Sequence, residues 1–193
     1  MACMVPQLVT EFIEMIINNI LYIRKLYPDA IFQRIHKYGL VLYRSIHPHL
    51  NEYILHCMEA VLFLAKENKL SKVVICFNRP HQQFFEKLVL DVGWLKFTDS
   101  DSLLLSLEKS FRSFFIRLYA ANGMMKPFPN DISFAINIHA VEESAVTYME
   151  KSKLEDFSWI IVDRHNETPG SVILPLETIN FDFAHMNIYI ESY

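Results

Sequence analysis

EFIEMIINNILYIRKLYPDAIFQRIHKYGLVLY, residues 11–43, decides the fold. Leu8, Phe12, Met15, Ile16, Ile20 and Ile23 recur at the spacing of one helical face, and Val9, Ile13, Ile17 and Leu21 fill most of the other side. A helix apolar nearly all round belongs in the middle of a domain. The pattern predicts such a helix over 7–27, stopped at Tyr27-Pro28 because the residue before a proline is pushed out of the helical region. The second half changes period. Phe32, Ile35 and Tyr38, then Gly39, then Leu40-Val41-Leu42-Tyr43, read as a hairpin over 31–43.

Working outward, a second helix is expected from His47-Pro48 to about residue 68. Leu50, Tyr53, Ile54, Cys57, Met58, Val61 and Leu64 form its apolar stripe, and Pro48 suits a first turn. KVVICFN (72–78) and FFEKLVLDV (84–92) read as strands joined at Arg79-Pro80-His81. Asp99, Ser100, Asp101 and Ser102 are N-cap candidates for a third helix over 103–119, closed at Asn122-Gly123. ISFAINIH (132–139) alternates as a half-buried strand, with Ile132, Phe134, Ile136 and Ile138 on one side. A short polar or helical stretch follows over 142–151. Extended pieces are expected at 157–163 and 173–193, around the turn Thr168-Pro169-Gly170. Three helices on one side of an antiparallel sheet give an α+β domain.

The 193 residues suit one domain, 52% hydrophobic and 21% charged, with only 4 glycines and 8 prolines. Mean hydropathy is +0.16, an excess that should appear as buried helix or as binding surface. The most apolar run, 13–23, is interrupted by Glu14, Asn18 and Asn19, so no membrane span is expected, and no secretory signal precedes it. Cys3, Cys57 and Cys76 are odd in number and show no metal spacing. Cys57 and Cys76 sit in apolar patterns, which points to a reducing compartment, cytosol or nucleus. A net charge of −4 argues against direct nucleic-acid binding and for a protein partner.

Motifs for chemistry are missing: no phosphate loop, HExxH, GxSxG or CxxC. His47 and His49 flank Pro48 and read more simply as a loop entering a helix than as metal ligands. His139 reads as a strand-face residue. Asp99 and Asp101 read as helix caps, and Lys109 and Arg112 as an ordinary polar helix face that Arg117 does not extend. The chain is therefore expected to be a binding protein, not an enzyme, needing no cofactor or metal. No cavity is expected to hold paired titratable groups of perturbed pKa.

EFIEMIINNILYIRKLYPDAIFQRIHKYGL followed by HPHLNEYI resembles the opening of a HORMA domain, and KVVICF, the FEK strand, DSLLLSLEKSFRSFF, DFSWIIVD and LPLETINFDFAHMNIYIE extend the likeness over nearly the whole chain. HPHLNEYI, DFSWIIVD and the C-terminal segment are closest to the branch that serves as accessory subunit of the translesion DNA polymerase zeta. The resemblance implies a single HORMA domain over 1–193. Its core would span about 7–156, and a C-terminal safety belt, about 157–193, would fold over a captured peptide. It implies Tyr53 and Trp159 as lining of the peptide channel. Ile173, Asn187 and Tyr189 would be the surface for a second partner, although the family usually carries Leu and Gln in place of Ile173 and Asn187. Arg112 would be the residue of HORMA–HORMA pairing. The implied partners are a proline-containing segment of the catalytic polymerase subunit, a scaffolding deoxycytidyl-transferase polymerase, an AAA-type remodelling ATPase and another HORMA protein. The implied compartment is the nucleus, with the cytoplasm second. A spindle-checkpoint or meiotic HORMA regulator is the alternative function.

Overall fold

The computed structural model describes residues 4–79, 82–96, 100–129, 131–141 and 171–193. Helix α1 (Met4–Ile23) is the axis of the core. Val5, Val9, Phe12, Ile13, Ile16, Ile17, Ile20 and Leu21 are fully buried around its circumference. It ends four residues before the expected stop. Lys25 adopts φ 56° and Leu26 N–H donates to Leu21 O at 3.2 Å, so a left-handed residue closes the helix before Pro28 can act.

Strands β1 (Phe32–Lys37) and β2 (Leu40–Ser45) form the expected hairpin. Tyr38 (φ 52°) and Gly39 (φ 66°) make its two-residue turn, the pair of left-handed residues that matches strand twist. Tyr38 tolerates this because its ring is held edge-on to Phe12 at 6.4 Å and stacked on Phe115 at 5.9 Å. The hairpin is a sheet of its own and not part of the main one. Two asparagines on α1 hold it there. Asn18 Oδ1 accepts from Ser45 N at 2.8 Å. Asn19 accepts from Tyr43 N at 3.0 Å and donates to Tyr43 O at 3.1 Å.

Helix α2 (Pro48–Lys66) starts where expected, with His47 as N-cap and its Nδ1 accepting from Leu50 N. Helix α3 (Asp101–Asn122) is longer than expected. Its N-cap is Ser100, with no side-chain capping bond. Asp101 is instead the first helical residue, where its charge meets the positive helix end. Asp99 lies outside the described residues. Gly123 ends the helix at φ −67°, without the left-handed turn its position suggested. The ring of Phe12 stacks on Phe111 at 3.8 Å and lies edge-on to Phe114 and Phe115, which knits α3 to α1.

The main sheet has five strands in the order β5-β3-β4-β7-β6, every pair antiparallel. These are β3 (Leu70–Arg79), β4 (Gln82–Leu95), β5 (Ser133–Ala140), β6 (Val172–Phe181) and β7 (Ala184–Ser192). One face, with Val73, Ile75, Leu88, Leu90, Ile136, Ile188 and Ile190, joins the core shared with the three helices. Arg117 of α3 donates to Leu176 O at 3.0 Å and so ties a helix to β6. The fold is α+β, an antiparallel sheet packed against three helices, as expected. The stretches 142–151 and 157–163 and the turn 168–170 lie outside the described residues.

Candidate functional site

The two borders of the sheet differ. The C-terminal strands β7 and β6 extend it beyond β4. At the opposite border, among the described residues, no strand pairs with the outer side of β5. Unpaired strand borders attract other chains and are normally covered or blunted. This border is not charged: ISFAINIH carries His139 as its one ionisable residue.

Tyr53 of α2 sits beside this border. Its hydroxyl accepts the backbone N–H of Ile136 at 3.0 Å, and its ring lies edge-on to Phe134 at 5.8 Å. The residue is 38% exposed. Burial pushes the phenol up to about 12, so the hydroxyl keeps its proton. Because Ile136 N–H turns to Tyr53, the opposed pair Ile75–Ile136 is of the non-hydrogen-bonded kind. Alternation then turns the N–H groups of Phe134 and Ile138 outward as well. Among the described residues the border thus offers main-chain hydrogen bonds, with Tyr53 of the helical layer beside them. Trp159, the other expected channel residue, lies outside the described residues. The alternation of ISFAINIH pointed to Phe134 and Ile136 as inward residues, but their place at a sheet border depends on pairing far along the chain.

Ile173, Asn187 and Tyr189 come together on the sheet face that no helix covers among the described residues. Registers across the strands lay this face out in rows. His139, Lys72, Asp91, Asn187 and Thr178 form one, and Asn137, Val74, Val89, Tyr189 and Pro175 the next. Ala135, Cys76, Lys87, Glu191 and Ile173 form a third. Val74, Cys76, Val89 and Tyr189 make a small apolar cluster in the middle. Ion pairs frame it: Lys72 to Asp91 at 3.1 Å, and Lys87 to Glu191 at 3.9 Å. Ile173 is 59% exposed, while Asn187 and Tyr189 are half-buried. Burial, then the Asp91 carboxylate, pushes the Tyr189 phenol up. His139 on this face is held below its ordinary value by burial and by Lys72, hence neutral at pH 7.

Arg112 is exposed on α3. Its Nη1 lies 2.6 Å from where a Cβ on Gly39 would stand, so the guanidinium covers the hairpin turn. Cys57 and Cys76 are buried thiols pushed up to about 11 by burial, which leaves them inert. Among the described residues no three His, Cys, Asp or Glu side chains group as metal ligands, and no helix is long and apolar enough to cross a membrane.

A cavity of about 480 Å³ is lined by Arg24, Met125, Phe128 and Ile132; Glu86, the acid that pairs with Arg24, is not among its lining residues. Arg24 Nη2 meets Glu86 Oε2 at 3.0 Å, and both side chains are 3% exposed. Burial raises the Glu86 carboxyl to about 7 against the pull of Arg24. The same Arg24 donates to Lys126 O at 2.6 Å and stacks at 4.0 Å over Phe128. It therefore pins the segment between α3 and β5. A guanidinium so engaged is a clamp.

Comparison with known proteins agrees with this architecture. The description "HORMA domain" matches residues 6–153. The mitotic spindle assembly checkpoint protein MAD2B of Rattus norvegicus is 32% identical over 197 residues, spanning 97% of this chain and 90% of that protein. The DNA polymerase zeta processivity subunit of Arabidopsis thaliana is 24% identical, spanning 97% and 85%. Among solved structures, a chain in the crystal structure of the mitotic checkpoint complex superposes with a TM-score of 0.79 at 18% identity, covering 97% of both. C. elegans HTP-2 bound to the HIM-3 closure motif superposes at 0.76 with 7% identity, covering 97% of this chain and 89% of that one. At such identities the superpositions speak for the fold alone.

Proposed function

This chain belongs to the HORMA domain family, and from that premise we propose that it is the non-catalytic adaptor subunit of DNA polymerase zeta in DNA damage tolerance. It captures an extended, proline-containing segment of the catalytic subunit by adding it as a strand to β5. Backbone hydrogen bonds supply the affinity, and side-chain pockets the selectivity. Tyr53 and Trp159 line the channel. The belt, beginning near residue 157, closes over the peptide, so that escape waits on a conformational step. Ile173, Asn187 and Tyr189 receive the scaffolding deoxycytidyl-transferase polymerase. There the half-buried Tyr189, set in an apolar patch within a charged frame, has the make-up of a binding hot spot. Arg112 serves pairing with another HORMA protein, and an AAA-type ATPase reopens the belt. The protein works in the nucleus without cofactor or metal, and without catalysis of its own.

The observation that carries this reading is the asymmetry of the sheet. The C-terminal strands are seated on the β4 side, and the outer side of β5 carries no strand among the described residues. The names of the plant and vertebrate relatives divide between polymerase and checkpoint work. The deciding experiment is affinity capture of synthetic peptides tiling the polymerase zeta catalytic subunit, with checkpoint-protein peptides in the same array. Retention of a catalytic-subunit peptide, lost in Tyr53→Ala, is expected. Retention of checkpoint peptides alone assigns the chain to cell-cycle control instead.

A further inference from the structure

A phenol stands where an added strand would have to sit. A strand joining β5 would lie about 4.8 Å away and place a carbonyl oxygen about 2.9 Å from an outward amide nitrogen. At Ile136 that position is taken: the Tyr53 hydroxyl is 3.0 Å from the same nitrogen. One N–H cannot align on two oxygens at once, so hydroxyl and incoming carbonyl compete for it. We propose that the Tyr53 hydroxyl is a displaceable cap on the β5 border, holding the Ile136 amide in the unliganded chain and yielding it to a backbone carbonyl of the captured peptide.

The inference rests on the reading of β5 as the capture border. Tyr53 is suited to leave. The residue as a whole is 38% exposed, its ring contact with Phe134 is edge-on, and the Cys57 side chain is a second hydrogen-bond partner for the hydroxyl once it leaves the amide. The cap acts on selectivity. A peptide that pairs through Ile136 alone exchanges one hydrogen bond for another and gains nothing. Net affinity must come from Phe134 and Ile138 on either side and from side-chain contacts, which only a longer matched segment supplies. An otherwise sticky border is thereby protected at its centre without placing a charge on it.

Tyr53→Phe in the full chain tests the cap, because it keeps the ring and removes only the hydroxyl. The probe is the best-retained peptide of the tiled catalytic-subunit array. In the free protein, hydrogen exchange at the Ile136 amide is expected to be faster in the variant than in the wild type. Peptide affinity is expected to rise by about twofold to tenfold, the worth of one hydrogen bond no longer displaced. Equal exchange at Ile136 in the two free proteins overturns the proposal. So does an affinity that is unchanged or weaker. If no peptide slows exchange at Phe134 and Ile138 in either protein, border capture itself fails, and the cap with it. Slowed exchange at those two residues, without a gain in the variant, overturns the cap alone.

Discussion

Glu86 shows how one residue couples the core to pH. Its carboxyl is raised from 4.5 to about 7 in the folded chain, mainly by burial. The folded state therefore holds this proton more tightly than the unfolded state does. Stability from Glu86 is fully present below about pH 4.5 and is lost as pH rises toward about 7. The loss should amount to about 1–3 kcal/mol. Denaturant melts at a series of pH values should show it, and Glu86→Gln, which stays neutral, should flatten the curve across that window. A variant whose slope matched the wild type would locate the titrating group elsewhere. Removing the other partner is a different experiment. Arg24→Ala leaves a buried carboxyl without its cation and should cost about 3–5 kcal/mol in chemical denaturation. Neither effect could be read from the sequence, in which Arg24 and Glu86 are unremarkable polar residues 62 positions apart.

At the level of elements, the hairpin depends on two helix asparagines. Asn19→Ala would strip Tyr43 of both main-chain partners and Tyr119 of the acceptor it meets at 2.9 Å. A loss of about 2–4 kcal/mol is expected, with faster hydrogen exchange over residues 40–45 before global unfolding. Phe111→Ala should cost about 3–5 kcal/mol, since its ring stacks on Phe12 in the seam between α1 and α3. A smaller cost on melting would mean that the seam collapses to fill the gap. The helices were legible because their apolar residues recur with the right period, and the alternation in ISFAINIH and NIYI marked strands correctly. The starts of α2 and α3 were legible as well, at His47-Pro48 and among the cap candidates 99–102, but the end of α1 was not. Lys25 stops α1 through a left-handed conformation that no lysine advertises. The separate hairpin sheet was hidden too, because Asn18 and Asn19 read as interruptions of an apolar helix and not as its docking groups.

At the level of the molecule, the resemblance of EFIEMIINNILYIRKLYP and its neighbours conveyed the layers, but the strand order depends on pairings between distant segments. Ile173, Asn187 and Tyr189 share a face only because β7 lies between β4 and β6. Tyr189→Ala is expected to weaken binding of the deoxycytidyl-transferase polymerase at least tenfold in titration calorimetry, while catalytic-subunit peptide capture persists. Loss of both activities together would mean that the two surfaces are one. The position of β7 also bears on biosynthesis. It is the last described strand to emerge from the ribosome, yet it occupies an interior place beside β4. Until it arrives, a nascent chain exposes the bare flank of β4, so synthesis halted before about residue 184 should yield a product that chaperones retain and that precipitates when freed.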